Sequence, residues 1–183
     1  MLDNYDSFTY NLVYIVRKLG YDPTIWRNDQ FEMEDVRPFE KIILSPGPGI
    51  PLEAGLMPEL IKNYSPTHSI LGVCLGHQAL GESFGGTLTN LKEVYHGVAT
   101  QIRLDAKDPL FKGIPEEIRV GRYHSWAISP VNFPESVRII ATDKEDQIMA
   151  IRHKSLDVCG VQFHPESVMT EHGTRMVENW LSS

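Results

Sequence analysis

Ser69-Ile70-Leu71-Gly72-Val73-Cys74-Leu75-Gly76-His77-Gln78-Ala79-Leu80 is the stretch whose reading decides the fold. Ser69 to Val73 is a short apolar run bounded by turn residues, as expected of a parallel strand buried on both faces. From Leu75 the spacing changes to that of a helix, with Leu75, Ala79, Leu80 and Phe84 on one side and the Gly85-Gly86 pair as its end. The junction Gly72-Val73-Cys74-Leu75-Gly76 has the form G-x-S-x-G with sulfur in place of oxygen. In that arrangement a nucleophile stands on a sharp strand-to-helix turn, and the flanking glycines let strand and helix approach closely. The helix N-terminus favours thiolate at Cys74, and the Leu75 N–H is placed to donate to an oxyanion.

On either side of this elbow the chain alternates strands and helices. Phe8, Leu12, Ile15, Val16 and Leu19 recur at helical spacing, with Asp6 or Ser7 as the expected N-cap and Gly20 as the stop. Lys41 to Leu44 is a second buried strand. Beyond Gly86 the pattern becomes extended, over Ala99 to Leu104, Ile118 to Tyr123, Val137 to Thr142, Gln147 to Arg152 and Val158 to Phe163. A last helix gathers Met176, Val177, Trp180 and Leu181, with Thr170 as candidate cap. This order predicts an α/β fold with an open, mostly parallel central sheet, flanking helices and additional strands in the second half. With no repeat or long linker, residues 1–183 read as one domain.

A thiol nucleophile needs a proton acceptor, and the acceptor needs an orienting group. His164-Pro165-Glu166 follows the strand expected to end at Phe163. In extended chain residues i and i+2 point the same way about 7 Å apart, a gap that a glutamate side chain spans. Cys159 lacks the glycines and the helix start and reads as a core residue; His68, His153 and His172 read as surface residues. No His/Cys spacing makes a zinc site. Ser45-Pro46-Gly47-Pro48-Gly49 follows the strand Lys41 to Leu44 and so reaches the same sheet edge as the elbow, where its Gly49 N–H can complete a two-donor oxyanion hole with Leu75. The loop lacks the G-K-[ST] ending of a phosphate loop.

Composition sets the remaining bounds. The 183 residues carry 17 basic and 24 acidic side chains, a net charge of -7, with no basic stripe, so nucleic acid is not an expected partner. No apolar run approaches the roughly 20 residues that span a bilayer. Two cysteines and no leader-like N-terminal pattern predict a reducing, cytoplasmic setting. Folding a chain of this size buries about 70% of the unfolded surface, so neither disulfides nor metals are needed for stability.

Taken together, Leu2 to Asn11, Ser45 to Gly49, Gly72 to Gln78, Arg122 to Ser125 and Gln162 to Ser167 resemble the triad-type, class I glutamine amidotransferases. The resemblance is closest to the glutaminase subunits of anthranilate synthase and aminodeoxychorismate synthase, and it covers essentially the whole chain. It implies that Cys74 attacks glutamine, with His164 as base and later acid and Glu166 as orienter. It also implies that Gln78 and the Ser125-Trp126 backbone hold the amino-acid end of glutamine, while Gly47, Pro48 and Gly49 line the oxyanion side. Ammonia would then pass to a chorismate-binding synthase subunit in a hetero-oligomer. No cofactor is implied in this chain; magnesium is expected in the partner. Two departures stand out: only Met1 and Leu2 precede the Asp-Asn-Tyr motif where the family has more apolar residues, and Trp126 stands where the family has leucine. Alternatives to an anthranilate synthase component are a 4-amino-4-deoxychorismate synthase glutaminase, a non-catalytic regulatory homologue and a free-standing γ-glutamyl hydrolase. The intact set of Cys74, His164 and Glu166 disfavours the regulatory homologue.

Overall fold

In the computed structural model, which describes residues 1–183, the first half of the chain alternates strands and helices. They run β1 (Leu2–Asp3), α1 (Thr9–Lys18), β2 (Trp26–Arg27), β3 (Lys41–Leu44), α2 (Met57–Tyr64), β4 (Ser69–Val73) and α3 (Leu75–Ser83). The second half is mostly strand: β5 (Leu88–Asn90), β6 (Val98–Leu104), β7 (Glu117–Arg122), β8 (Trp126–Ile128), β9 (Val137–Asp143), β10 (Ile148–His153) and β11 (Val158–Val161). Helix α4 (Gly173–Leu181) closes the chain.

Nine strands form one sheet in the order β2-β1-β3-β4-β11-β10-β9-β6-β7, and β5 pairs with β8 in a separate ribbon. From β2 to β11 every neighbour is parallel; from β10 to β7 every pairing is antiparallel. The central sheet is thus parallel where helices cross over, with the antiparallel extension supplied by the strand-rich half. Alternate side chains of the parallel strands enter opposite cores. Ile43, Leu71 and Val73 face α1 and α4 in a 25-residue cluster. Ile42, Leu44 and Ile70 face α2 and α3 in a 19-residue cluster. This two-sided burial explains the unbroken apolar runs of β3 and β4.

Local details differ from the sequence expectations at several points. Neither Asp6 nor Ser7 is the N-cap of α1: Phe8 holds that position, while the Asp6 carboxylate accepts from the Phe8 N–H one turn earlier. Thr170 does not cap α4. His172 does, in the left-handed region at φ 59°, and the Thr170 hydroxyl instead donates to the His164 carbonyl and accepts from the Gly121 N–H. Strand β11 stops at Val161, so Phe163 lies beyond it. Helix α2 and the β5–β8 ribbon had no matching expectation, because their segments are short and interrupted by polar residues.

At the elbow, helix and strand backbones are in direct contact. A Cβ on Gly72 would fall 2.6 Å from the carbonyl of Gly76 and 2.7 Å from the His77 nitrogen, and one on Gly76 would fall 2.5 Å from the Leu44 oxygen. Backbone atoms cannot swing aside as a side chain can. Gly72→Ala is therefore expected to lower unfolding stability by about 3 kcal/mol or more in urea titration, since overpacking of rigid neighbours costs about 1–3 kcal/mol even where some relaxation is possible.

Candidate active site

Cys74 sits between β4 and α3 with φ 51° and ψ -100°, outside the regions that L-residues normally occupy. Strain of this kind costs about 1–3 kcal/mol and persists only where the surroundings dictate it. They do so here: the Cys74 N–H donates to the Val161 carbonyl of β11 at 2.9 Å, its carbonyl accepts from Gln78 N–H, and both flanking glycines are locked. As the N-cap of α3, Cys74 lies at the positive end of that helix, next to the first helical residue Leu75. Leu75 itself is buried and packs under the Gly47 loop, where a Gly47 Cβ would meet its side chain at 2.6 Å.

β11 is parallel to β4 and in register with it, Val73 opposite Val161, so the chain leaving β11 emerges beside the elbow. His164 and Glu166 follow there. They are not in extended chain, as their spacing after a strand suggests, but in a tight turn closed by Ser167 N–H donating to the His164 carbonyl. The turn still brings the pair together, with His164 Nδ1 2.7 Å from Glu166 Oε1 and both side chains buried. Nδ1 carries the hydrogen facing the carboxylate, which leaves Nε2 for Cys74. Burial lowers the proton affinity of His164, but the Cys74 sulfur and the Glu166 carboxylate more than offset it and raise the pKa to about 10. The ring is held edge-on by Tyr123, with centroids 4.8 Å apart, and by Phe8 at 5.6 Å.

A cavity of about 190 Å³ opens over the sulfur, lined by Gly47, Pro48 and Gly49, Cys74, Gln78, Val94 to His96, and Tyr123 to Trp126. Every candidate site residue except the buried Leu75, His164 and Glu166 therefore faces one space. Gly49 has φ 73°, a conformation that glycine adopts freely. The loop is braced by Asn4, whose backbone N–H donates to the Ser45 hydroxyl and whose side-chain amide donates to the Ser45 carbonyl. Along the opposite wall, Leu91 N–H donates to the Ser125 carbonyl, so the adjoining Asn90–Trp126 pair is a non-hydrogen-bonded one. The Trp126 N–H and C=O then point away from β5. Its carbonyl accepts from Gln78 Nε2 at 2.8 Å, and His124 Nδ1 lies 2.8 Å from the same oxygen.

His124 is not among the expected site residues, although both its hydrogen-bond partners, Arg122 and Trp126, lie two residues away. Arg122 Nε donates to His124 Nε2, so the proton of the neutral ring is on Nδ1 and points to Trp126. Burial and the Arg122 charge push the His124 pKa down to about 3. Arg122 is itself buried, paired with Asp143 at 2.6 Å, and its guanidinium carbon lies 3.5 Å from the centroid of the Tyr95 ring. His77, also buried, is neutral as well, its pKa lowered to about 3 by burial. Of the histidines expected at the surface, His172 is exposed, while His68 and His153 are half-buried against Tyr64 and Phe84. Cys159 is fully buried, and desolvation pushes its thiol up to about 12. No three His, Cys, Asp or Glu side chains converge as metal ligands. No helix is long and apolar enough to cross a membrane.

The sequence profile of the family described as Glutamine amidotransferase class-I matches residues 1–183. The chain belongs to that family. It is 43% identical over 186 residues to anthranilate synthase component 2 of Thermus thermophilus, covering 99% of this chain and 90% of that one. It is 42% identical over 186 residues to the aminodeoxychorismate/anthranilate synthase component 2 of Bacillus subtilis, covering 100% and 95%. Among solved structures, a Thermoplasma acidophilum protein provisionally assigned to GMP synthase superposes with a TM-score of 0.89 at 26% identity, over 99% of this chain and 90% of that one.

The His164 proton has a consequence for stability. Its folded pKa of about 10 exceeds the ordinary 6.5, so the stabilisation is fully present below pH 6.5 and is lost as pH rises through about 10. Thermal unfolding between these limits is expected to show a decline with pH that is shallower in Glu166→Gln, where one of the two groups holding the proton is gone.

Proposed function

We propose that this glutamine amidotransferase uses Cys74, His164 and Glu166 as its catalytic triad and supplies ammonia to a synthase subunit that aminates chorismate. The observation that carries the reading is the buried His164–Glu166 pair brought beside an elbow cysteine under a cavity of about 190 Å³. That volume lies below the roughly 300–1,000 Å³ of sites for drug-sized ligands and suits one free amino acid better than a peptide.

In this mechanism the Cys74 thiolate attacks the side-chain carbonyl of glutamine. The N–H groups of Leu75 and Gly49 receive the oxyanion, and His164 gives its proton to the leaving nitrogen as the C–N bond breaks. Ammonia departs and a γ-glutamyl thioester remains. His164, now neutral, takes a proton from water, whose oxygen attacks the thioester; the C–S bond breaks, glutamate leaves and the thiolate returns. The Gln78 amide nitrogen is already committed to Trp126 and Gln162, so Gln78 meets the substrate through its carbonyl oxygen, an acceptor for the α-ammonium. The Ser125 and His124 carbonyls are likewise taken, by Leu91 and Tyr95 N–H groups, which leaves N–H groups of the Ser125-Trp126 segment for the α-carboxylate.

Ammonia freed into neutral water becomes ammonium, which has no lone pair for attack. A subunit that makes it therefore works against the subunit that uses it. The Thermus and Bacillus relatives support anthranilate synthase as the assembly, and the name of the Bacillus protein equally supports an aminodeoxychorismate synthase. A Phycomyces blakesleeanus multifunctional tryptophan biosynthesis protein, 40% identical over 185 residues that span all of this chain and 24% of that one, supports a physical link to other enzymes of that route. Magnesium, where required, belongs to the chorismate-binding partner, and the setting is the cytoplasm.

Reconstitution with the cognate synthase, chorismate, magnesium and glutamine, followed by product identification, tests the assignment. Cys74→Ala is expected to lower glutamine-dependent product formation by about 10³-fold or more while leaving ammonia-dependent formation intact, and Glu166→Gln to lower it by about 10²–10⁴-fold. Unimpaired glutamine use by Cys74→Ala would sink the reading. The isolated chain is expected to release little ammonia from glutamine until the partner is added, measured by steady-state assay.

A further inference from the structure

Gln162 lies between β11 and the His164 turn, fully buried, and the mechanism above gives it no task. Its partners fix which way its amide faces. The Trp126 carbonyl can only accept, so the Gln78 atom 2.8 Å from it is the NH2 group. The same NH2 lies 3.2 Å from Gln162, so the Gln162 atom it meets is the carbonyl Oε1. The other end of that amide, Nε2, is then the atom 3.7 Å from Cys74 Sγ. The line of dipoles starts at a backbone carbonyl, which cannot flip, and ends with an N–H directed at sulfur. His124 reinforces the starting point through its own Nδ1–H on the Trp126 carbonyl.

We propose that Gln162 is a positioning residue for the nucleophile: its amide N–H donates to the Cys74 sulfur, stabilises the thiolate and holds it in place beneath the cavity. A hydrogen bond to an ionised group is roughly twice as strong as one between neutral groups, so this donor favours thiolate over thiol. Unlike His164, it does not titrate. It supports the sulfur both before attack and when the thioester collapses, as the C–S bond breaks and the electron pair returns to sulfur. The proposal rests on the reading of Cys74 as the nucleophile, but its primary test does not depend on turnover.

That test is the pH dependence of Cys74 alkylation by iodoacetamide, read by mass spectrometry on the Cys74 peptide in the full chain. Cys159 serves as the internal control, since it is fully buried in the core whereas Cys74 borders the cavity. Two variants separate donation from filling of space. Gln162→Met keeps the bulk and removes the donor; Gln162→Glu keeps an acceptor for Gln78 and turns an oxygen toward the sulfur. The alkylation midpoint is expected to rise by about one pH unit in Gln162→Met and by more in Gln162→Glu. In the assembled synthase kcat for glutamine should fall about tenfold, with KM within about twofold. Midpoints unchanged from the unmutated chain in both variants overturn the proposal, whatever happens to activity. If the variants do not fold, the unmutated protein still decides. The side-chain 15N–1H2 resonances of Gln162 should move with pH at the alkylation midpoint and cease to do so in Cys74→Ala, and resonances indifferent to that midpoint overturn it. Full glutaminase activity in Cys74→Ala would defeat the catalytic reading alone, leaving the alkylation result to judge the hydrogen bond.

Discussion

Everything at this site depends on how closely α3 approaches the sheet. Gly72 and Gly76 bring helix backbone against strand backbone at separations no side chain could tolerate, and the chain between them has one way through. Cys74 is forced to φ 51° and ψ -100° by that path. The cost of the conformation is met by packing of Ile70, Leu71 and Val73 into two cores and by the Cys74–Val161 hydrogen bond. A flexible loop could not hold a cysteine in such a conformation, because it would relax.

The same hydrogen bond ties the elbow to β11, so His164 arrives by register rather than by chance of loop conformation. Val73 opposite Val161 sets where the chain turns, and the Thr170 hydroxyl between the His164 carbonyl and the Gly121 N–H fixes the turn against β7. The antiparallel half of the sheet thus has a role at the site: β7 backs the His164 turn, and β8 supplies the wall facing the Gly47 loop. Asn4 performs a similar service on the other side by bracing Ser45.

The parts legible in the sequence are those determined within a few residues. The elbow glycines can be read because the clash they avoid is local, and Cys159 can be set aside because nothing similar adjoins it. His164-Pro165-Glu166 pairs as its spacing suggests, although the chain there turns instead of extending, because either shape brings i and i+2 together. The caps behave differently. Asp6 and Thr170 are good capping residues by type, yet Asp6 closes a turn onto the Phe8 N–H two residues on, and the Thr170 hydroxyl is drawn to the His164 carbonyl. Tyr95 and Gln162 are silent because each acquires its surroundings from another segment: Tyr95 stacks on Arg122, and Gln162 meets Gln78 across 84 positions of chain.

The neutral histidines carry a consequence in terms of proton inventory. His77 and His124 hold pKa values near 3, and His164 near 10, so across the wide interval between them none of the three rings changes its charge. Gln78 and Gln162 are dipoles that cannot ionise, and the Arg122 charge is matched by Asp143. Of these three rings only His164 carries an added proton in that interval, the one held by Cys74 and Glu166. Neither His77 nor His124 can divert that proton or supply a substitute for it.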